Sequence, residues 1–279
     1  MFIQLPNADF SGNGLGKAVL FTHGMPSEDL LGLWLFDEGN DGDPFNSVAD
    51  KSGNGNHATL RTNWTAGVKR TYGMEVTTNQ GTALQTALPI NPSGRQMTVF
   101  VAGANTLPGN ETNQYNNWFG STDNPGMDQP TLSHTNAPSL CLNYQGLDDT
   151  PRWQAFDAGG DMIGTSTLGA DANQPDYDEP TVAALEIDGI NDAVALHVLG
   201  APMLTATDAR VGMFYDGATN RGNLEFGPWP HVNRRSAAST IAHVYAVAVY
   251  ARTFTDTEAQ RHMGFMRQIA EARGVLFPA

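Results

Sequence analysis

The feature that most constrains this chain is its rhythm. From Leu30 onward, short runs rich in β-branched, aliphatic and aromatic residues alternate with clusters of Gly, Asn, Asp and Pro. The runs are Leu31–Phe36, His57–Arg61, Thr82–Leu88, Met97–Ala102, Ser139–Asn143, Thr181–Ile187, Ala193–Leu199, Arg210–Tyr215, Asn223–Phe226 and Thr240–Tyr250. Many short strands at such spacing predict an all-β sandwich or barrel, because alternating βαβ units would need helical stretches between them. No internal repeat is visible. The 30 glycines and 16 prolines serve the turns, and a hydrophobic fraction of 40% is enough to fill a sizeable core. At 279 residues, one large domain with an appendage is the natural count.

The exception to the rhythm is the C-terminus. Thr255-Asp256-Thr257-Glu258 has the capping-box pattern, in which the threonine oxygen accepts from the N–H of Glu258 and the glutamate reaches back. A helix is predicted over 255–273, with Met263, Met266, Ile269 and Ala270 on one face and Gly274 as its stop. Residues 1–29 differ from the rest. The stretch Asn7–Gly16 is too glycine-rich for a helix, and the segment reads as an extended arm ending in a strand at Ala18–Thr22. An outer strand of the same sandwich is the alternative. Residues 30–279 form the main domain.

Acidic side chains outnumber basic ones 29 to 15, and the net charge of −14 repels phosphate backbones, which argues against nucleic acid as a partner. Cys141 is the sole cysteine, so an internal disulfide and a cysteine-built zinc site are excluded. Its neighbours Leu140 and Leu142 place it in a buried strand. The N-terminus has no basic region followed by an apolar one, so no signal peptide is expected. No apolar run approaches the roughly 18 residues of a spanning helix, so no membrane insertion is expected.

The segment Gly32–Gly39, followed by Asp50-Lys51-Ser52-Gly53-Asn54-Gly55-Asn56-His57-Ala58-Thr59-Leu60, resembles the opening of bacterial and phage laminin G-like/pentraxin-type domains. Val182–Asp188, Ala193–Gly200 and Asn223–Gly227 resemble that family's middle strands, and Ala242–Glu258 its last strand and short helix. The resemblance implies a concanavalin A-like antiparallel jelly-roll β-sandwich with a short C-terminal helix and, here, an N-terminal arm. It also implies a habit of binding glycans or proteins. The stretch Asn105–Asp178 is longer and more divergent than the family leads one to expect, which makes it the expected source of specificity. Ala8–Gly16 is similar to the start of phage tail and fibre proteins that append such a domain.

Several residues are candidates for chemistry. Asp50, Ser52, Asn54 and Asn56 present oxygens at alternating positions, as in the first half of a calcium loop, but Arg61 stands where a bidentate glutamate would be needed. A plain Asx-type turn explains the same residues. Asp37, Glu38, Asp41 and Asp43 would join a metal site only if the fold brought the two turns together. Laminarinase-like glycosidases on related sandwiches carry three carboxylates on one strand. Here Glu186 and Asp188 match the first two, and Asn191 replaces the proton donor, which an amide cannot be. The histidines lack zinc-motif spacing, and no nucleophile elbow occurs.

Sugar recognition needs an aromatic face with amides and carboxylates beside it. Tyr115, Asn116, Asn117 and Trp118 supply this pattern, although a sheet strand explains them equally. Trp229 and His231 form a second candidate loop, Trp64 and Trp153 are weaker candidates, and Trp34 lies too deep in a strand. The expectation is a binding module and not an enzyme. Its most concrete form is a bacteriophage virion structural protein of tail- or head-fibre type, exposed on the particle and contacting host polysaccharide. Its arm would bind other virion proteins, and the oligomer would be a homo-oligomer with a trimer favoured. The alternatives are a capsid or tail decoration protein that binds only virion proteins, and a bacterial surface adhesin.

Overall fold

Period-two patterning sends alternate side chains of a strand to opposite faces, and here both faces of the longest strands are apolar. In β10 (Gln96–Thr106), Met97, Val99 and Val101 enter one core while Phe100, Ala102 and Ala104 enter another. A strand buried on both sides must lie in a middle layer. The computed structural model describes residues 21–61, 65–77, 84–89, 95–106, 114–121, 139–144, 151–156, 179–207, 223–227 and 241–278. Among them, two antiparallel sheets and one helix form three layers.

Strands are numbered along the chain. The middle layer is a nine-stranded sheet that runs β16 (Leu204–Thr207), β15 (Ala193–Val198), β14 (Thr181–Asp188), β10, β18 (Ile241–Tyr250), β8 (Gly73–Thr77), β7 (Gly67–Arg70) and β4 (Pro44–Phe45). Its ninth strand, β3 (Leu30–Trp34), also pairs with β18. The second sheet has seven strands: β13 (Pro151–Phe156), β12 (Ser139–Tyr144), β11 (Gln114–Ser121), β17 (Asn223–Phe226), β9 (Leu84–Pro89), β6 (Ala58–Leu60) and β5 (Ser47–Val48). Between the sheets, Trp34 and Phe36 meet Phe226 edge-on at ring-centroid distances of 4.8 and 5.6 Å.

The third layer is helix α1 (Asp256–Glu271), which lies on the outer face of the nine-stranded sheet. Both halves of the capping box at Thr255 are formed, and Gly274 takes φ +98° just past the helix. Met263, Met266 and Ala270 are buried against Phe100, Tyr250 and Phe254, and Ile269 packs at the margin. In β18 one residue is extra: Ala102 pairs with Ala246 and Gly103 with Val244, so Tyr245 bulges. The bulge keeps Tyr245 and Ala246 both on the helix side.

The arm boundary differs from the sequence expectation. Phe21–Thr22 (β1) and Met25–Pro26 (β2) form a hairpin that packs on the helix. Met25 is fully buried, Phe21 meets the Phe265 ring at 5.3 Å, and Tyr250 Oη donates to the Pro26 carbonyl at 2.8 Å. Residues 21–29 therefore belong to the body, and the preceding twenty lie outside the described residues. No helix among the described residues is long and apolar enough to cross a membrane.

Candidate functional site

The two oxygen-rich turns do come together. Gly53 and Gly55, at φ +93° and +78°, curl the Asp50–Asn56 turn back over β3. Asp50 Oδ1 accepts from the N–H groups of Leu33 and Ser52 at 3.0 and 2.8 Å, and Oδ2 accepts from Ser52 Oγ and Asn56 N–H, both at 2.9 Å. An ionised carboxylate has about four lone-pair sites, and all four of Asp50's are taken within the turn and β3. Asn54 and Asn56 use their amide N–H groups on the carbonyls of Leu30 and Leu31, and Trp34 Nε1 donates to the Asn56 carbonyl at 2.9 Å. The arrangement held here is an Asx-type clip that ties the turn to the buried tryptophan.

The acidic turn finds a different cation. Lys51 Nζ lies 2.7 Å from Glu38 and 3.4 Å from Asp37, and its hydrogen bond to Glu38 holds its pKa above the usual lysine value. Below it, buried Lys69 donates to the carbonyls of Phe36 and Arg70, and burial pushes its pKa down. Phe36 has φ +51°. Its two flanking carbonyls are held by cations, Leu35 by Arg273 and Phe36 by Lys69. Among the described residues, no three His, Cys, Asp or Glu side chains are grouped to hold a metal.

On the Glu186–Asp188 strand both carboxylates are engaged within the fold. Ala183, Leu185 and Ile187 face the core between the sheets, so Glu186 and Asp188 lie on the helix side. Glu186 Oε2 accepts from Phe254 N–H at 2.6 Å, immediately before the helix, and thus anchors α1 to the sheet. Asp188 caps its own turn, accepting from the N–H groups of Ile190 and Asn191 and from Asn191 Nδ2 at 2.7 Å. Burial would raise the Asp188 pKa, but the hydrogen bonds from Asn191, Gln96 and the two amides outweigh it and leave it lowered.

One group of aromatic candidates falls on a strand of the second sheet. Tyr115, Asn116, Asn117 and Trp118 lie in β11, whose backbone pairs with β12 and β17. Their side chains lie outside the described residues, as do Trp229 and His231 and, among the weaker candidates, Trp64 and the side chain of Trp153. Backbone register sets Tyr115 opposite Asn143, and Asn143 opposite Arg152. Trp34 is fully buried.

One group was missed from sequence. Leu224 and Phe226 enter the inter-sheet core, so Glu225 between them faces outward from the central strand of the seven-stranded sheet. It is nevertheless only 2% exposed. Its Oε1 accepts from Arg61 Nη1 at 3.0 Å and from Gln85 Nε2 at 2.9 Å. The signal available was a charged residue in the otherwise uncharged strand Asn-Leu-Glu-Phe. Its partners, far away in sequence, gave no such signal.

No protein-family model matches the sequence, and no curated protein is significantly similar to it. Solved structures share its fold. The binding domain of botulinum neurotoxin DC, solved with rat synaptotagmin II, superposes with a TM-score of 0.56 at 9% identity, covering 85% of this chain and 52% of the toxin chain. The same domain in complex with SialylT gives 0.53 at 7% identity, covering 85% of this chain and 52% of that one. Trypanosoma rangeli sialidase gives 0.52 at 13% identity, covering 86% of this chain and 33% of the enzyme. This chain therefore spans about half the toxin binding domains and a third of the sialidase. The likeness establishes an all-β, lectin-like sandwich. It also corrects the expectation that catalysis is excluded: the structures of this fold include sialidases beside toxin binding domains, so a lectin-like sandwich does not separate the two.

Proposed function

We propose that this chain is a glycan-binding module of the laminin G-like, jelly-roll type. The observation that carries the reading is the sandwich it shares over 85% of its length with a toxin binding domain solved in complex with SialylT. The opening turn supports the finer assignment, since Asp50, Ser52, Asn54 and Asn56 clip β3 through the residues on which the family resemblance rests. A virion fibre is the setting we propose for the module, with attachment through the first twenty residues and a homotrimeric assembly. That part rests on the similarity of Ala8–Gly16 to phage fibre proteins.

The test is an array of sialylated and neutral oligosaccharides together with bacterial surface polysaccharides, probed with the intact protein. Saturable binding to a defined glycan is the expected result. Binding to immobilised proteins alone would reassign the module to protein recognition, and release of shortened oligosaccharides would reassign it to hydrolysis.

A further inference from the structure

Helix α1 lies over β10, β14, β15 and β18 of the nine-stranded sheet. Beyond it, β7 and β8 bring a different set of side chains to the same outer face. Met74 and Val76 enter the inter-sheet core, so Glu75 between them points outward. Ala242 and Val244 do the same for His243 of β18, which pairs with Glu75. Arg70 pairs with Gly73, two residues before Glu75 and therefore on the same face. Its Nε and Nη2 donate to Glu75 Oε2 and Oε1 at 2.9 and 2.8 Å, a bidentate fork that fixes the plane of both groups. The pair reaches solvent, with the two side chains 41% and 20% exposed.

Aromatic rings border this pair. Tyr72, in the turn between β7 and β8, is 42% exposed, and a Cβ at Gly274 would lie 3.0 Å from its Cε1, so the absence of that side chain leaves room for the ring. On the β18 side, Tyr245 and His243 stack at 6.4 Å. Gly73 lies between Arg70 and β18 and puts no side chain there. Burial, with Tyr72 nearby, pushes the Tyr245 pKa up to about 12, so its hydroxyl keeps its proton and can donate.

We propose that this site reads a vicinal diol of a sugar whose ring rests on Tyr72. Arg70 keeps N–H groups, and Glu75 lone pairs, beyond those they spend on each other. Held in one plane, they present a donor and an acceptor side by side. Two adjacent hydroxyls match that pattern, one accepting from the guanidinium and the other donating to the carboxylate. Tyr72 supplies the apolar face for the C–H side of the ring.

The inference rests on the glycan-binding reading, and its test separates the two. On the same array, treatment of the immobilised glycans with periodate, which cleaves vicinal diols, should abolish binding of the intact protein. Arg70→Lys keeps a cation for Glu75 but not the planar fork, and should weaken binding to untreated glycans at least about tenfold. Tyr72→Ala should weaken it about three- to tenfold. Arg267→Ala, which removes an exposed ion pair on the helix, should change nothing. If a variant fails to hold the parent Tm, Glu75→Gln, which keeps the shape of the carboxylate, takes its place with the same expected loss. Parent-like binding by the folded variants would overturn the site and leave the module a lectin. Binding that survives periodate would overturn the diol, and absence of any glycan binding would overturn both readings.

Discussion

Glu186 and Glu225 each sit on the outer face of a sheet, between apolar neighbours, at 8% and 2% exposure, yet they are held in different ways. Glu186 accepts from the backbone N–H of Phe254 just before the helix at 2.6 Å, with Thr98 Oγ1 a longer second donor at 3.5 Å, and joins two layers of the fold. Glu225 accepts from two side chains, Arg61 and Gln85, both on neighbouring parts of the same sheet face. A carboxylate bonded to backbone fixes where chain segments lie. One bonded to side chains fixes how those side chains are held.

The comparison predicts that changes under the helix alter stability and spare binding. The largest effect should come from Met266→Ala, which empties a fully buried site between α1 and the sheet. It should cost about 2–5 kcal/mol, read from the denaturant midpoint, with glycan affinity of the folded fraction unchanged. A drop in affinity of that fraction would break the comparison. Thr255→Ala removes the N-cap oxygen that accepts from Glu258 N–H, and should cost about 1 kcal/mol in the same measurement.

A smaller, pH-dependent effect should come from His262. It stacks on Phe100 at 5.7 Å under the helix, and burial lowers its pKa from the ordinary histidine value. The unfolded chain therefore takes up a proton that the native state refuses. Stability should decline as pH falls through about 6.5 and stop declining below the depressed native value. His262→Gln should flatten that part of a Tm-against-pH profile. An unchanged slope would remove His262 from the account.

How much was legible follows from the range of each interaction. The helix was readable to within two residues because its capping box spans four consecutive positions. The strand β17 was readable from its polar–apolar alternation, and β18 from a run of aliphatic and aromatic residues long enough to show through its bulge. By contrast, β7 and β8, Gly-Val-Lys-Arg and Gly-Met-Glu-Val-Thr, were missed. Their glycines are there for contact, since a Cβ at Gly73 would lie 2.3 Å from the Val244 carbonyl oxygen. The inclusion of residues 21–29 in the arm failed for a similar reason: only the folded helix supplies the surface on which Met25 and Phe21 pack.

The sequence by itself determined the all-β class, the helix and its caps, and the turn at Asp50, because each depends on neighbours within a few residues. Tertiary structure decided which charges meet. It gave Lys51 to the acidic turn at Asp37 and Glu38, turned Glu186 toward the helix, and brought Arg61 to Glu225 across 164 residues. No local pattern encodes such pairings. A carboxylate's partners depend on which strands become neighbours, and that is settled only when the whole sandwich closes.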